Sequence, residues 1–225
     1  WELIHSIGSA TNAAWEIPVP VYAGQALPAI WRHDTESYSV MFACDGPYLR
    51  WSMGNSPDAT RSTHYLEVSE SNDPLVMGFS YNGRCGVFST NRLFWITGDP
   101  VNGFRKDEVP NGHGLFSRWA LAVGKRIAWL AKDGIYETGG SSPDTDIVDL
   151  DLGPLFASEE GGGAPTSING VKAPKIASTE AAHLRLDYAD DNSLFFFYRD
   201  TSANRACLRY VPWRNGWLPY EFAQP

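Results

Sequence analysis

Cysteine is scarce: three residues in 225, at positions 44, 85 and 207. So few, and odd in number, cannot form the closed disulfide framework of a small secreted domain. Each sits inside an apolar, strand-like run, which predicts buried free thiols in a reducing compartment. Long apolar runs are also missing. None approaches the roughly 20 residues a helix needs to cross a bilayer, and no charged-then-apolar leader opens the chain, so neither a membrane-embedded nor an exported protein is expected. Asn-x-Ser/Thr acceptors are absent too. The chain begins at Trp1 without Met and stops at Pro225, close behind an apparent strand, so a piece of a longer polypeptide is expected.

Positive charge is thin. Lys and Arg number 18 against 26 Asp and Glu, for a net charge of -8, and the basic residues are scattered singly. A protein that grips phosphate backbones presents a basic patch, because counterion release drives binding; none is evident. The densest charge is acidic: Asp144, Asp146, Asp149 and Asp151. That run reads first as a solvated acidic loop.

Catalytic signatures are absent as well. H-E-x-x-H, C-x-x-C, G-x-S-x-G and G-x-x-x-x-G-K-[ST] do not occur, which removes the usual marks of zinc hydrolases, dithiol redox proteins, serine hydrolases and phosphate-loop enzymes. Gly112-His113-Gly114 begins like a dinucleotide fingerprint, but no helix is expected after it. The five His (5, 33, 64, 113, 183) are dispersed and read as surface or structural residues. Asp187 to Ser193 offers oxygen ligands that calcium could use, yet it lacks the Gly and terminal Glu of an EF-hand loop and reads better as a hairpin turn. Neighbouring carboxylates in 144–151 do not make a glycosidase pair, which belongs on opposite strands. No enzyme activity, cofactor or metal is expected.

What is abundant is β-structure. Apolar residues make up 43% and aromatics 13%, ample for a core, and 21 Gly with 15 Pro suit many short strands. Asn-Gly or Asp-Gly pairs stand at 45, 82, 102, 111, 133, 169 and 215. Such pairs supply the positive φ angles of tight hairpins. Between and beyond them lie runs rich in Val, Ile, Phe, Tyr and Trp: 38–43, 48–52, 64–68, 75–80, 84–89, 92–97, 119–123, 126–130, 135–138, 181–188, 193–199, 205–211 and 216–222. Runs such as LFFFY (194–198) and RLFWIT (92–97) are apolar on both faces, so they need sheets above and below.

Grouped in fours, the strands form units over 29–68, 74–109, 116–150 and 176–222, each about forty residues, the size of a propeller blade. FACDGPYLRW, WLAKDGIYETG and PWRNGWLPYEF share a turn pair followed by Tyr or Trp, which predicts an aromatic at similar depth in successive blades. The expected fold is all-β: a β-propeller-like array of about four four-stranded antiparallel blades, possible part of a larger propeller, with a Greek-key sandwich as the alternative. Residues 1–25, with alternating prolines in Ile17 to Tyr22, read as an extended connector or edge segment, and 152–175 as a Gly-rich loop.

Three segments carry a family likeness. LEVSESNDPLVMGFSYNGRCGVFSTNRLFWITGDP (66–100), GLFSRWALAVGKRIAWLAKDGIYETGG (114–140) and LRYVPWRNGWLPYEF (208–222) resemble the β-propeller proteins of bacteriophage necks and tails, the hub or nozzle subunits of short-tailed phages. The resemblance implies a non-enzymatic virion component, located in the tail and assembled in the host cytoplasm. Its implied partners are copies of itself in a ring and other tail or portal-adaptor proteins. An acidic lumen, to which Asp144, Asp146, Asp149 and Asp151 would contribute, would let DNA pass without adhesion during ejection.

A carbohydrate-binding or glycan-processing propeller is the alternative, with Trp31, Trp51, Trp213 and Trp217 as candidate stacking surfaces. The S-x-D-x-G-x-T-W boxes of sialidase-type propellers are absent, and so are the signatures of WD and Kelch scaffolds.

Overall fold

The structure is a computed structural model that describes residues 29–57, 59–110, 112–139, 147–150, 152, 167–168, 171–172, 178–200 and 202–220. The connector at 1–25 and most of the 152–175 loop lie outside the described residues.

The fold is all-β and built from four four-stranded antiparallel sheets, each a meander in sequence order. The first holds β1 (Ile30–Asp34), β2 (Ser39–Asp45), β3 (Tyr48–Trp51) and β4 (Tyr65–Glu67). The second holds β5 (Leu75–Tyr81), β6 (Arg84–Ser89), β7 (Leu93–Asp99) and β8 (Gly103–Glu108). The third holds β9 (Leu121–Val123), β10 (Ile127–Leu130), β11 (Ile135–Thr138) and β12 (Ile147–Asp149). A two-stranded hairpin, β13 (Ser167–Ile168) with β14 (Val171–Lys172), precedes the fourth sheet. That sheet holds β15 (Arg185–Tyr188), β16 (Leu194–Arg199), β17 (Arg205–Val211) and β18 (Gly216–Pro219). A four-stranded sequential meander is the topology of a propeller blade.

The turn chemistry explains the meanders. Asn82 and Gly83 join β5 to β6 with φ of 49° and 72°, the pair of positive angles whose twist matches the flanking strands. Gly46 does the same work between β2 and β3 at φ 58°. The expected equivalence of the three Asx-Gly pairs does not hold throughout. Asp45-Gly46 and Asp133-Gly134 join the second and third strands of their sheets, whereas Asn215-Gly216 joins the third and fourth. Tyr136 is buried, while Tyr48 and Trp217 are half-buried. The run 181–188 is a strand only from Arg185; Ser178–His183 forms a 3-10 helix whose last turn carries His183.

The described chain divides into two compact units. In the first, the first and second sheets pack through their leading strands, β1 and β2 lying against β5. The core there is aromatic: Phe42 stands 5.5 Å from Trp31 and 5.0 Å from Phe104, and Phe104 is 5.1 Å from Trp51. Gly78 on β5 makes room for the indole of Trp31, since a Cβ there would stand 2.0 Å from the ring. Cross-sheet hydrogen bonds add register: Leu75 N–H donates to Gly46 O at 2.8 Å, Tyr38 Oη to Gly98 O at 2.8 Å, and Lys106 Nζ to Val68 O at 2.7 Å.

In the second unit the third and fourth sheets pack with β15 against β9 and β10. Its core is mostly aliphatic, including Leu130, Ile135, Leu184, Leu186, Leu194 and Leu208, with Phe196, Tyr198 and Tyr210. Polar pins cross it. Tyr188 Oη donates to Glu137 at 2.7 Å, Arg126 pairs with the same carboxylate at 2.8 Å, and Trp217 Nε1 donates to Leu150 O at 2.6 Å.

The fourth strands face solvent: β4 and β18 contain no buried residue, and β8 buries only Phe104. The three cysteines are buried free thiols. Burial pushes Cys44 and Cys85 up to about 12 and Cys207 up to about 11, so they stay protonated at neutral pH. No described helix is long and apolar enough to cross a membrane.

Candidate functional site

The second unit carries a hollow of about 480 Å³, walled by Thr90 and Asn91, by Gly112 to Gly114, and by Ala131 to Asp133. Its position follows from local rules. Asp133-Gly134 closes the β10–β11 hairpin, with Ala131 N–H donating to Gly134 O at 2.9 Å, and this turn lifts Lys132 and Asp133 into solvent. The 112–114 segment passes so close to 90–91 that a Cβ on Gly114 would lie 2.2 Å from the main-chain oxygen of Thr90. Only glycine fits, so the approach of the two walls is fixed by backbone.

Among the lining residues, His113 is half of a stacked pair. His113 lies on Tyr136 with ring centroids 3.7 Å apart and planes 12° from parallel. Tyr136 Oη donates to Asp133 Oδ2 at 2.9 Å, and the same oxygen stands 3.2 Å from His113 Nδ1. Burial, then the adjacent Asp133 carboxylate, raises the Tyr136 phenol well above its ordinary value, so it remains a hydrogen-bond donor. Trp129 Nε1 donates to the main-chain oxygen of His113 at 3.1 Å, which anchors the segment from beneath. Lys132 Nζ donates to Asn91 Oδ1 at 3.3 Å across the opening. The result is a hollow of mixed polar and apolar lining, with the His113 ring held by stacking and opposite charges on Lys132 and Asp133.

A second group of candidates stands at loops and outer strands. Val101, in the β7–β8 turn, is 90% exposed; Trp213, between β17 and β18, is 78% exposed; Trp119, ahead of β9, is 51% exposed. Arg214 lies 4.5 Å from the Trp213 ring centroid and Arg118 4.9 Å from that of Trp119. Single exposed apolar groups are ordinary on a protein surface, so these three are candidates for partner contact and nothing more.

Of the acidic residues singled out from the sequence, Asp149 lies on β12, exposed and opposite Tyr136 in the ladder. Asp144, Asp146 and Asp151 lie outside the described residues. Of the four tryptophans considered for stacking on sugars, Trp31 and Trp51 belong to the core, at 7% and 4% exposure. Trp217 is half-buried against Tyr210. Trp213 alone among the four is open to solvent. In the 187–193 turn, Asp191 is held by Arg209 and by the main-chain N–H of Ser193, so the carboxylate closes a hairpin. Among the described residues no three His, Cys, Asp or Glu side chains converge on a point where a metal could sit.

The hollow itself was not legible beforehand. The signal was there in part: a Gly-His-Gly segment between strands has no helix to serve, yet both glycines remove side chains beside an imidazole.

No known protein family matches the chain, and no curated protein matches it. Among solved structures, a mutant of the Aleuria aurantia lectin in complex with Fucalpha1-6GlcNAc is similar at 11% identity and a TM-score of 0.40. The match covers 85% of this chain and 55% of that one, so the chain spans little more than half the length of that structure.

Proposed function

We propose that this chain is a non-enzymatic assembly protein, a hub or nozzle subunit of a bacteriophage tail that docks other tail proteins and copies of itself. The observation that carries the reading is the division of its aromatic residues. Trp31, Trp51, Trp95 and Trp129 are buried, whereas Trp119, Trp213 and the aliphatic Val101 face water at loops. Covering one tryptophan removes roughly 150–250 Å² of surface from solvent, worth a few kcal/mol at about 25 cal/mol per Å². Each such point offers contact area to a partner without any bond-making chemistry.

The residues that resemble phage tail propellers support the same reading, since 66–100 supplies β5 to β7 and 114–140 supplies β9 to β11. They record how blades pack. The net charge of -8 suits a wall past which DNA slides.

Sedimentation and electron microscopy of the purified chain, alone and mixed with candidate tail and portal-adaptor proteins, test the proposal. Closed rings or a stoichiometric complex that Trp213→Ala and Trp119→Ala weaken are the expected result. A monomer that joins none of these partners would overturn it.

A further inference from the structure

We infer that the hollow between 90–91, 112–114 and 131–133 is a binding site for a neutral saccharide ring. The inference stands apart from the tail-subunit reading, because it rests on a different part of the molecule and predicts a small ligand.

Size comes first. About 480 Å³ falls within the usual range for small-molecule sites. Hydrogen-bonding capacity then decides the class of ligand. Asp133 Oδ2 is occupied by Tyr136 and faces His113 Nδ1, but Oδ1 has no partner among the described residues. The Lys132 ammonium carries three donors and directs one to Asn91. An unused carboxylate oxygen and unused ammonium hydrogens therefore belong to consecutive residues on one rim. Vicinal hydroxyls match that arrangement: one donates to the carboxylate while its neighbour accepts from the ammonium.

Charge excludes the simplest competitors. A phosphate drawn to Lys132 would meet Asp133, and an ammonium drawn to Asp133 would meet Lys132, so a single-sign ion gains little. A neutral polyol satisfies both groups at once.

His113 completes the site. The His113 side chain is 35% exposed while stacked on Tyr136, so the imidazole is held flat beside the opening and offers a surface for the C–H face of a ring. Tyr136, Trp129 and the close approach at Gly114 hold that geometry in advance, which lowers the ordering cost on binding.

The test is saturation-transfer NMR on the full chain with the methyl glycosides of glucose, galactose, mannose and N-acetylglucosamine, and with alanine as a zwitterionic probe. At least one glycoside should show transfer, and alanine none. Lys132→Ala should weaken that glycoside about tenfold or more, as expected for loss of a charged hydrogen bond, and Asp133→Asn should act in the same direction. Lys132 is exposed and lies outside the core, so its variant reports on binding even if the Asp133 variant loosens the turn. Trp213→Ala should leave glycoside binding unchanged. Silence from all four glycosides, binding indifferent to Lys132→Ala, or a response to alanine alone would overturn the inference.

Discussion

The two units use the same blade topology and fill it differently. The first locks rings together, with Trp31, Phe42, Trp51 and Phe104 in mutual contact and Gly78 cut away beneath an indole. The second stacks Leu, Ile and Ala between its sheets and ties them with polar pins through Glu137, Tyr188 and Trp217. Ring packing is tight and directional, and it leaves little space. The first unit buries the indole N–H groups of Trp51 and Trp95 without an acceptor among the described residues, a cost that good packing offsets. The second keeps polar groups hydrogen-bonded near its surface, and there the hollow forms. One set of blades is thus held mainly by rings, while the other carries the hollow at its surface.

The sharpest way to break this contrast is to empty the ring cluster. Phe42→Ala should cost about 3–5 kcal/mol, read from urea unfolding followed by near-ultraviolet circular dichroism, which reports the aromatic environment. A cost below about 1 kcal/mol would mean the rings are loosely packed.

Glycines give the next largest effect, and it should follow the space around each one. Gly78→Ala forces a methyl into the Trp31 ring and should destabilise by about 1–3 kcal/mol. Gly134→Ala, whose nearest neighbours would stand 3.7 Å away, should change stability by no more than about 0.5 kcal/mol. Equal costs would mean that the Trp31 ring does not press on Gly78 as described.

Acidification adds a third test. Burial holds the His33 pKa below its ordinary value, and its Nδ1 meets Ser80 Oγ at 2.8 Å. His64 is lowered by burial too. The unfolded chain therefore binds protons that the folded chain refuses, so the stability these residues contribute is present above the ordinary imidazole range and lost as pH falls through it. The urea midpoint of the first unit should drop between about pH 7.5 and about pH 5.5, and His33→Gln should flatten the drop. A midpoint that rises on acidification would contradict the assignment.

The smallest effect on stability belongs to Trp213→Ala. At 78% exposure the side chain contributes little to folding, and a change within about 0.5 kcal/mol is expected. Its effect on partner binding should be larger, about 2 kcal/mol if it anchors an interface.

The sequence made the blades legible where turn chemistry and apolar runs coincide. Asn82-Gly83 between VMGFSY and RCGVFS leaves no other reading; LFFFY, expected to be covered on both faces, is fully buried only on the face of Leu194, Phe196 and Tyr198, with Phe195 and Phe197 half-buried. Strands at the solvent side were harder. β8 (GFRKDE) is charged over four of its six residues and holds its place through its ladder with β7 and the single buried ring of Phe104, so no alternating pattern marks it. β1 (IWRHD) shows alternation only to a reader who already knows that His33 is buried. The strand expected over 181–188 loses its first residues, Ala181 to His183, to local 3-10 bonding.

The hollow was less legible still. Its walls come from three segments that are separated in the chain and that each read as a turn. Only the fold brings them together, with Gly114 setting the distance. Two of the four stacking candidates are buried for a related reason: Trp31 and Trp51 occupy inward positions of β1 and β3, and the alternation of a single short strand does not say which face lies inward.

The most direct test of the account is hydroxyl-radical footprinting of tryptophan, carried out on the free chain and on an assembled tail particle containing it. Trp119 and Trp213 should be oxidised in the free chain and protected in the particle, while Trp31, Trp51, Trp95 and Trp129 stay unreactive in both. Oxidation of those four in the folded free chain, or continued reactivity of both Trp119 and Trp213 in the particle, would contradict it.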